Sequence, residues 1–298
     1  MPPSVPPWLE PFRTRIDADV IETHISWILL DAEHAYKVKK PVLMPFLDYT
    51  TPERRRFFCN EELRLNRRFA PQIYLDVVPL DDTGEWAVRM VRFPEDHIAS
   101  ELCRSGELTD AEISGLAATI HQLHRDAATA GPQTWFGTPA QVQANLDEHF
   151  LDLRPGLPQR ADQLDQLDDW TRAEVATRTP DLLRRRAQGH IREGHGDLHL
   201  GNLVRLDGVI TPFDCIEFND TLRWLDVANE IAFAYLDLLR HHRSDAASWL
   251  LNEWLTISGD FDAMTVFRLY VVNRALVRAK VALLSGNPQR AIGHLNLA

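Results

Sequence analysis

Along the first third of the chain, apolar and polar positions alternate with a period of two, the spacing of a strand with one face turned inward. In the segment after the expected turn at Leu30-Asp31-Ala32-Glu33-His34, Ala35, Lys37 and Lys39 project one way and Tyr36, Val38 and Lys40 the other. Residues 73–80 and 86–93 read as two further strands around Asp81-Asp82-Thr83-Gly84, the second alternating Trp86, Val88 and Met90 against Ala87, Arg89 and Val91. Between these strands, Thr51 as N-cap, Pro52 at the first helical position and Glu53 in the first turn predict a helix through residue 68, stopping before Pro71. Its apolar stripe is expected at Phe58, Leu65 and Phe69, with Glu61 and Glu62 at the border. The pattern predicts a small antiparallel sheet crossed by one helix.

Pro94-Glu95-Asp96 breaks the pattern, and helical spacing dominates beyond it. Thr109 and Glu112 form a capping box ahead of the stripe Ile113, Leu116, Ala117, Ile120 and Leu123, with His124 at its end expected as a packed histidine. Further helices are predicted over 139–153, 164–188, 222–240, 244–257 and 261–284. One short hairpin interrupts them: residues 203–206 and 209–213 flank Asp207-Gly208, a two-residue turn signal. The organisation expected is α+β, with an N-terminal unit over 1–93 and a helical C-terminal unit over 94–298.

Composition narrows the function classes. The chain has 298 residues, 45% hydrophobic and 25% charged, enough to bury a substantial core, and its net charge of −11 argues against nucleic acid as a main partner. Cys59, Cys103 and Cys215 form no C-x-x-C pair, so no disulfide framework or zinc knuckle is expected, and cytoplasm is the simple inference. Pro2, Pro3, Pro6, Pro7 and Pro11 mark an extended arm rather than a signal peptide. The apolar C-terminal stretch is broken by Asn273, Arg274, Arg278 and Lys280, which excludes a membrane span there. No protein partner can be read from the sequence.

The chemistry concentrates in His195-Gly196-Asp197-Leu198-His199-Leu200-Gly201-Asn202, followed by Asp214 behind the hairpin. An acid, an amide five residues on and a second acid a dozen further are how kinases hold a proton acceptor and two magnesium ligands around a phosphoryl group. The hairpin would fold Asp214 back towards Asn202, oxygen ligands suit Mg2+, and Asp197 would accept the proton of an attacking hydroxyl. Lysine usage adds to this. Of only four lysines, Lys37, Lys39 and Lys40 share one short segment, a reason to expect a compact ammonium where a phosphate is contacted. For Lys40 a solvated strand edge is the preferred reading.

The loop resembles the catalytic loop of the aminoglycoside phosphotransferase and choline kinase branch of the protein-kinase-like fold, with Asp214 where that branch has its second magnesium-binding acid. Ala35 to Val42, Phe46 to Tyr49 and Arg64 to Arg68 are similar to an uncharacterised bacterial aminoglycoside phosphotransferase-like subfamily, and the similarity runs from about Ile21 to Leu284. The resemblance implies a bilobal protein-kinase-like fold and an ATP- or GTP-dependent transfer to a hydroxyl of a small molecule. It implies further that Lys37, with Lys39 as fallback, orients nucleotide phosphates and that Glu62 is its helix partner. Asn202 and Asp214 would bind Mg2+, His195 would orient the loop, and His199 stands where protein kinases place a phosphate-contacting lysine. Adenine would meet the backbone from Met90 to Arg92, and Asp226 would steady the loop. No G-x-G-x-x-G precedes the lysines, which leaves Ser26 as a candidate for a phosphate contact. No G-x-x-x-x-G-K-[ST] occurs, so the P-loop domain sometimes fused behind this subfamily is not expected.

Eleven residues separate Asp214 from Asp226, too few for an activation loop and peptide platform, so a small acceptor is favoured over a protein. Glu217 and Asn219, close behind Asp214, either assist metal or substrate or cap the next turn. Three other readings compete, one of them purely structural, with the polar loop residues only satisfying backbone groups. His195-x-Asp197-x-His199 could be a hydrolase metal site, and the whole fold could be a nucleotide-binding pseudokinase acting as an interaction module.

Overall fold

The computed structural model describes residues 5–44, 46–80 and 83–298. The first four residues of the expected arm, and Asp81 and Asp82 of the expected turn, lie outside them. In the N-terminal part the chain runs through α1 (Glu10–Arg15), β1 (Asp19–Glu22), β2 (Ser26–Leu30), β3 (His34–Lys39), the short β4 (Leu43–Met44) and β5 (Leu47–Asp48), α2 (Pro52–Asn66), β6 (Tyr74–Pro79) and β7 (Trp86–Val91). Five strands form one antiparallel sheet in the order β1-β2-β3-β7-β6, and β4 and β5 pair as a separate ribbon. The period-two expectation holds on both faces of β3. Tyr36 and Val38 join Leu9, Phe12 and Trp27 in one cluster, while Ala35 joins Cys59, Ile73 and Val88 in another under α2.

The extended arm is not observed from residue 5 onwards. Proline at the start of α1 presets a helical turn instead of opposing it, and burial of Leu9 and Phe12 against the sheet fixes that turn in place. The α2 N-cap is as expected, with the Thr51 side chain accepting from Arg54 N. Its buried face differs: Arg55, Cys59, Glu62, Leu65 and Asn66 point inward, whereas Phe58 and Phe69 are half-buried. That face carries charge because what it packs against carries the opposite charge.

The C-terminal part comprises α3 (Ala99–Ser105), α4 (Asp110–Asp126), α5 (Pro139–Gly156), α6 (Ala161–Ala187), β8 (Ile191–Glu193), β9 (Leu203–Leu206), β10 (Val209–Pro212), α7 (Asp220–Arg223), β11 (Trp224–Asp226), α8 (Val227–Arg240), α9 (Ser244–Ser258), α10 (Met264–Leu284) and α11 (Pro288–Leu295). The capping box of Thr109 and Glu112 is present, and the α4 stripe is buried as read from sequence. The single helix expected over 222–240 is instead α7, β11 and α8. Asp226 stops any continuous helix there because its side chain caps α8 by accepting from Ala228 N, while residues 224–226 pair with β8. Residues 203–212 form the predicted hairpin, with Asp207 at φ 49° and Gly208 at φ 80° as a two-residue turn of that kind requires. No helix among the described residues is long and apolar enough to cross a membrane.

Candidate active site

The loop from Gly194 to Asn202 leaves β8 and enters β9, so its two ends are anchored by two different strand pairs. A polar backbone turned into a protein needs partners, and here two carboxylates from α8 supply them. Glu230 Oε1 accepts from both His195 N and Gly196 N at 2.7 Å, and Asp237 Oδ2 accepts from Leu200 N at 3.0 Å. Burial works to raise the Glu230 pKa, yet His124, His195 and the Gly196 N–H hold it down at about 2. Glu230 therefore has the steadying role expected of Asp226. Asp226 is engaged elsewhere, paired with the buried Arg185 at 2.8 Å through each of its oxygens. His124 is the packed histidine expected, with Nε2 3.1 Å from Glu230 Oε2.

His195 is fully buried and stacks near Phe69, with ring centroids 5.5 Å apart. Its Nε2 lies 2.8 Å from Phe213 O and its Nδ1 3.3 Å from Asp197 N, partners that assign the proton to Nε2. Burial lowers its pKa and keeps the ring neutral. With both nitrogens committed to backbone groups, His195 orients the loop and has none left for a transition metal. His199 accepts from Gly201 N at 3.0 Å and places Nε2 3.4 Å from Asp197 Oδ2. Asn202 donates through Nδ2 to Asp197 O and Asp197 Oδ2, each at 2.9 Å, which leaves its Oδ1 for another partner. Burial opposes ionisation of Asp197, but His199, Arg278 and His195 outweigh it and hold the carboxyl well below the usual range.

Gly196 shows how tightly the turn is drawn. It adopts φ +85°, and a Cβ there would lie 2.9 Å from the carbonyl oxygen of Leu222. Gly196→Ala is expected to cost about 1–3 kcal/mol, through left-handed backbone and the displaced carbonyl. Urea unfolding measures it, and an unchanged midpoint would show that the loop relaxes freely.

Across the cleft, β3 and α2 deliver the cations and their anion. Lys37 Nζ is 2.9 Å from Glu62 Oε1, and Lys39 Nζ is 2.7 Å from Glu62 Oε2. Lys37 also contacts Asp214 Oδ1, and Lys39 contacts Glu217 Oε1, which bonds Tyr49 as well. Burial opposes charge on both lysines, yet Asp214, Glu62 and Glu217 raise their pKa values well above the ordinary lysine value. Glu62, pushed up by burial and down by Lys37 and Lys39, settles at about 2. Lys37 and Lys39 thus share a face and a carboxylate and both cross to the segment behind the hairpin, and Lys37 is the one that meets Asp214 and lines the cavity. Lys40 turns the other way, to Glu22 Oε1 and Thr23 O at 2.6 Å each.

Asp214 sits at φ +62°, a left-handed conformation uncommon for a residue with a side chain. Its N–H donates to Tyr74 Oη at 2.9 Å, and the next residue, Cys215, donates its N–H to Asn66 Oδ1 at 2.9 Å. These bonds tie the segment behind the hairpin to β6 and α2 and aim the Asp214 carboxylate, 42% exposed, into the cleft. Lys37, Asp197 and Asp214 line the same cavity. The oxygen atoms of Asn202 and Asp214 fit a hard divalent cation such as Mg2+, which takes few protein ligands and keeps waters or phosphate oxygens for the rest.

Other expected residues fall outside this convergence. Ser26 is buried at the start of β2 with Oγ lacking a hydrogen-bond partner, and it is not among the residues lining the cavity. Met90 lies in mid-strand, opposite Ala35 and Tyr74, with its side chain in the core. The N–H groups of Val91 and Arg92 already donate to Ile73 O and Glu33 O at 2.8 Å. Asn219 caps α7, accepting from Thr221 N at 2.9 Å. Glu230 and Asp237 were not anticipated, although two acids seven residues apart on an otherwise apolar helix lie on one face and were a visible signal.

No family model matches the chain. An uncharacterised protein of Mycobacterium tuberculosis (strain ATCC 25618 / H37Rv) is 30% identical over 292 residues, covering 94% of this chain and 59% of that protein. The chain therefore spans less than two thirds of the length of that relative. Choline kinase from Cryptosporidium parvum Iowa II shares the fold at TM-score 0.62 and 10% identity, over 98% of this chain and 90% of that one. The ADP-bound aminoglycoside phosphotransferase APH(2'')-Ib does so at TM-score 0.51 and 16% identity, over 97% and 95% respectively. The antiparallel N-terminal sheet and helical C-terminal part are thus the protein-kinase-like arrangement of these enzymes.

Proposed function

We propose that this chain, sharing the fold of choline kinases and aminoglycoside phosphotransferases, transfers the γ-phosphoryl group of ATP or GTP to a hydroxyl of a small molecule. The observation that carries the reading is that Lys37, paired with Glu62, lines one cleft with Asp197 and Asp214, and that Asn202 is bonded to Asp197 beside it. In this reading Lys37 holds nucleotide phosphates, and Glu62 keeps its ammonium charged and aimed. Asp197 orients the acceptor hydroxyl and takes its proton as the oxygen bonds to phosphorus. The bond from phosphorus to the β–γ bridging oxygen breaks, and nucleoside diphosphate leaves. His199 and Asn202 position the Asp197 carboxylate, and His195 holds the loop. Magnesium held by Asn202 and Asp214 would offset charge on the phosphates. The lobes would divide at 93/94, with adenine at that junction.

Mg-ATP or Mg-GTP is expected to stabilise the protein by about 2.7 kcal/mol at a hundredfold excess over Kd, read as a thermal shift. Label from the γ-phosphate is expected to pass to one member of a panel of hydroxylated metabolites. Stabilisation without transfer to any member would favour the pseudokinase reading. Absence of both would reject nucleotide chemistry altogether.

A further inference from the structure

The cavity, about 340 Å³ with the part beside Lys37, Asp197 and Asp214 included, extends past the two carboxylates between α5, α8 and α10. That volume suits a small organic ligand. Val142, Val277, Val281 and Leu284 form apolar walls, and Phe46 and Phe218, with ring centroids 5.9 Å apart, line it as well. Three side chains that line it carry buried polar atoms with no hydrogen-bond partner at normal distance among the described residues: Asn229 Oδ1, and His149 Nδ1 and Asn273 Oδ1, whose side chains interact with each other only weakly. His149 is itself only 8% exposed. A buried polar atom left unpaired costs about 1–3 kcal/mol, so three of them around one cavity point to a hydrogen-bonding occupant.

The charges of the cavity decide what kind. Glu148 is paired with Lys280 at 2.7 Å and Asp226 with Arg185 at 2.8 Å, while Glu217 and Asp214 are held by Lys39 and Lys37. Arg274 is spent on Gly196 O at 3.0 Å and Asn229 O at 3.1 Å, and Lys280 also binds Asp152 at 2.6 Å. Burial and the nearby Lys280 hold His149 at about 4, so its ring is neutral. Asp197 has only His199 and Asn202 as partners and in the phosphotransfer reading is left to the reacting hydroxyl. Beside Asn229, Asn273 and His149 a dehydrated ammonium or carboxylate would meet no other unspent opposite charge, and charges buried without one are expelled. Hydroxyl groups meet what they need, because they both donate to amide oxygens and accept from an imidazole.

Resting on the phosphotransfer reading, we propose that the acceptor is an uncharged polyhydroxylated compound of sugar or cyclitol size, held by Asn229, Asn273 and His149 against the apolar walls. Saturation-transfer NMR on the full chain tests it, with D-glucose, D-ribose and myo-inositol as neutral probes against D-glucosamine, choline and D-gluconate as charged ones. A neutral probe is expected to bind at least about tenfold more tightly than the charged ones. Asn229→Leu and Asn273→Leu are each expected to weaken it about tenfold, with stabilisation by Mg-ATP retained as evidence of an intact fold. A charged probe binding as tightly as the neutral ones would overturn the proposal. So would failure of every neutral probe on protein that Mg-ATP stabilises. Neutral binding without stabilisation by nucleotide would support the pocket assignment and count against phosphotransfer.

Discussion

Asp197→Asn is expected to slow phosphoryl transfer by about 10²–10⁴-fold, the usual share of a positioned proton acceptor, with little change in stabilisation by Mg-ATP. The amide keeps the shape of the carboxylate, so the loop held by Glu230 and Asp237 should persist. What it loses is a charged acceptor for the hydroxyl proton. Because His199, Arg278 and His195 keep Asp197 ionised well below the usual carboxylate range despite burial, the residue is a weak base. In the phosphotransfer reading it would orient the hydroxyl first and take the proton late, as suits a loose transition state with little bond formation to the nucleophile. Ionisation of Asp197 therefore should not set the acid limb of the rate profile. Label transfer under single-turnover conditions, paired with the thermal shift, provides the check. A rate within twofold of the wild type would remove Asp197 from the chemistry.

The largest stability effect is expected at Glu62. Glu62→Ala leaves Lys37 and Lys39, both buried, without the carboxylate they share at 2.9 and 2.7 Å. Removing one partner of a buried ion pair costs about 3–5 kcal/mol, mostly from the uncompensated charge that stays behind. The same carboxylate predicts a direction with pH. Its pKa falls from 4.5 to about 2 on folding, because the two lysines outweigh burial. A group depressed in this way contributes stability that is complete above its unfolded value and is lost as pH falls through the folded one. Glu230, likewise at about 2, acts in the same window. Urea midpoints should decline gently below about pH 6.5, where buried histidines such as His149, held at about 4, resist a proton that the unfolded chain accepts, and fall more steeply from about pH 4.5 towards pH 2. In Glu62→Ala that fall should be shallower. Parallel pH profiles for the two proteins would show that Glu62 is not the group responsible.

Much of this site was legible in the chain because its signals are local. Period two placed Lys37 and Lys39 on one face of β3, and the Asp207-Gly208 turn brought the residues on either side of its hairpin together. The choice of Glu62 over Glu61 came from the resemblance. The structure separates them physically: Glu62 is fully buried, while Glu61 pairs with Arg64 at the surface. What escaped depends on contacts far apart in sequence. Glu230 meets the loop from 34 residues away, through backbone N–H groups that leave no side-chain signature at the loop itself. The strand at 224–226 was hidden in an apolar run continuous with α8, and only its pairing with β8 distinguishes it. At the N-terminus, α1 exists because Leu9 and Phe12 find a sheet to cover, which no local pattern around five prolines announces.

The stretch between Asp214 and Asp226 has one more implication. Cys215 is tied to α2, Glu217 to Lys39 and Tyr49, Asn219 to its own helix start, and Arg223 to Glu193. In kinases governed by signals, this stretch is where an on/off rearrangement takes place. Here Cys215, Glu217, Asn219 and Arg223 are each already fastened, so a rearrangement would have to break all of these contacts. If the proposed phosphotransfer holds, a catalyst wired in this manner idles ready, and its throughput would be governed by how much of it is made and how much acceptor reaches it.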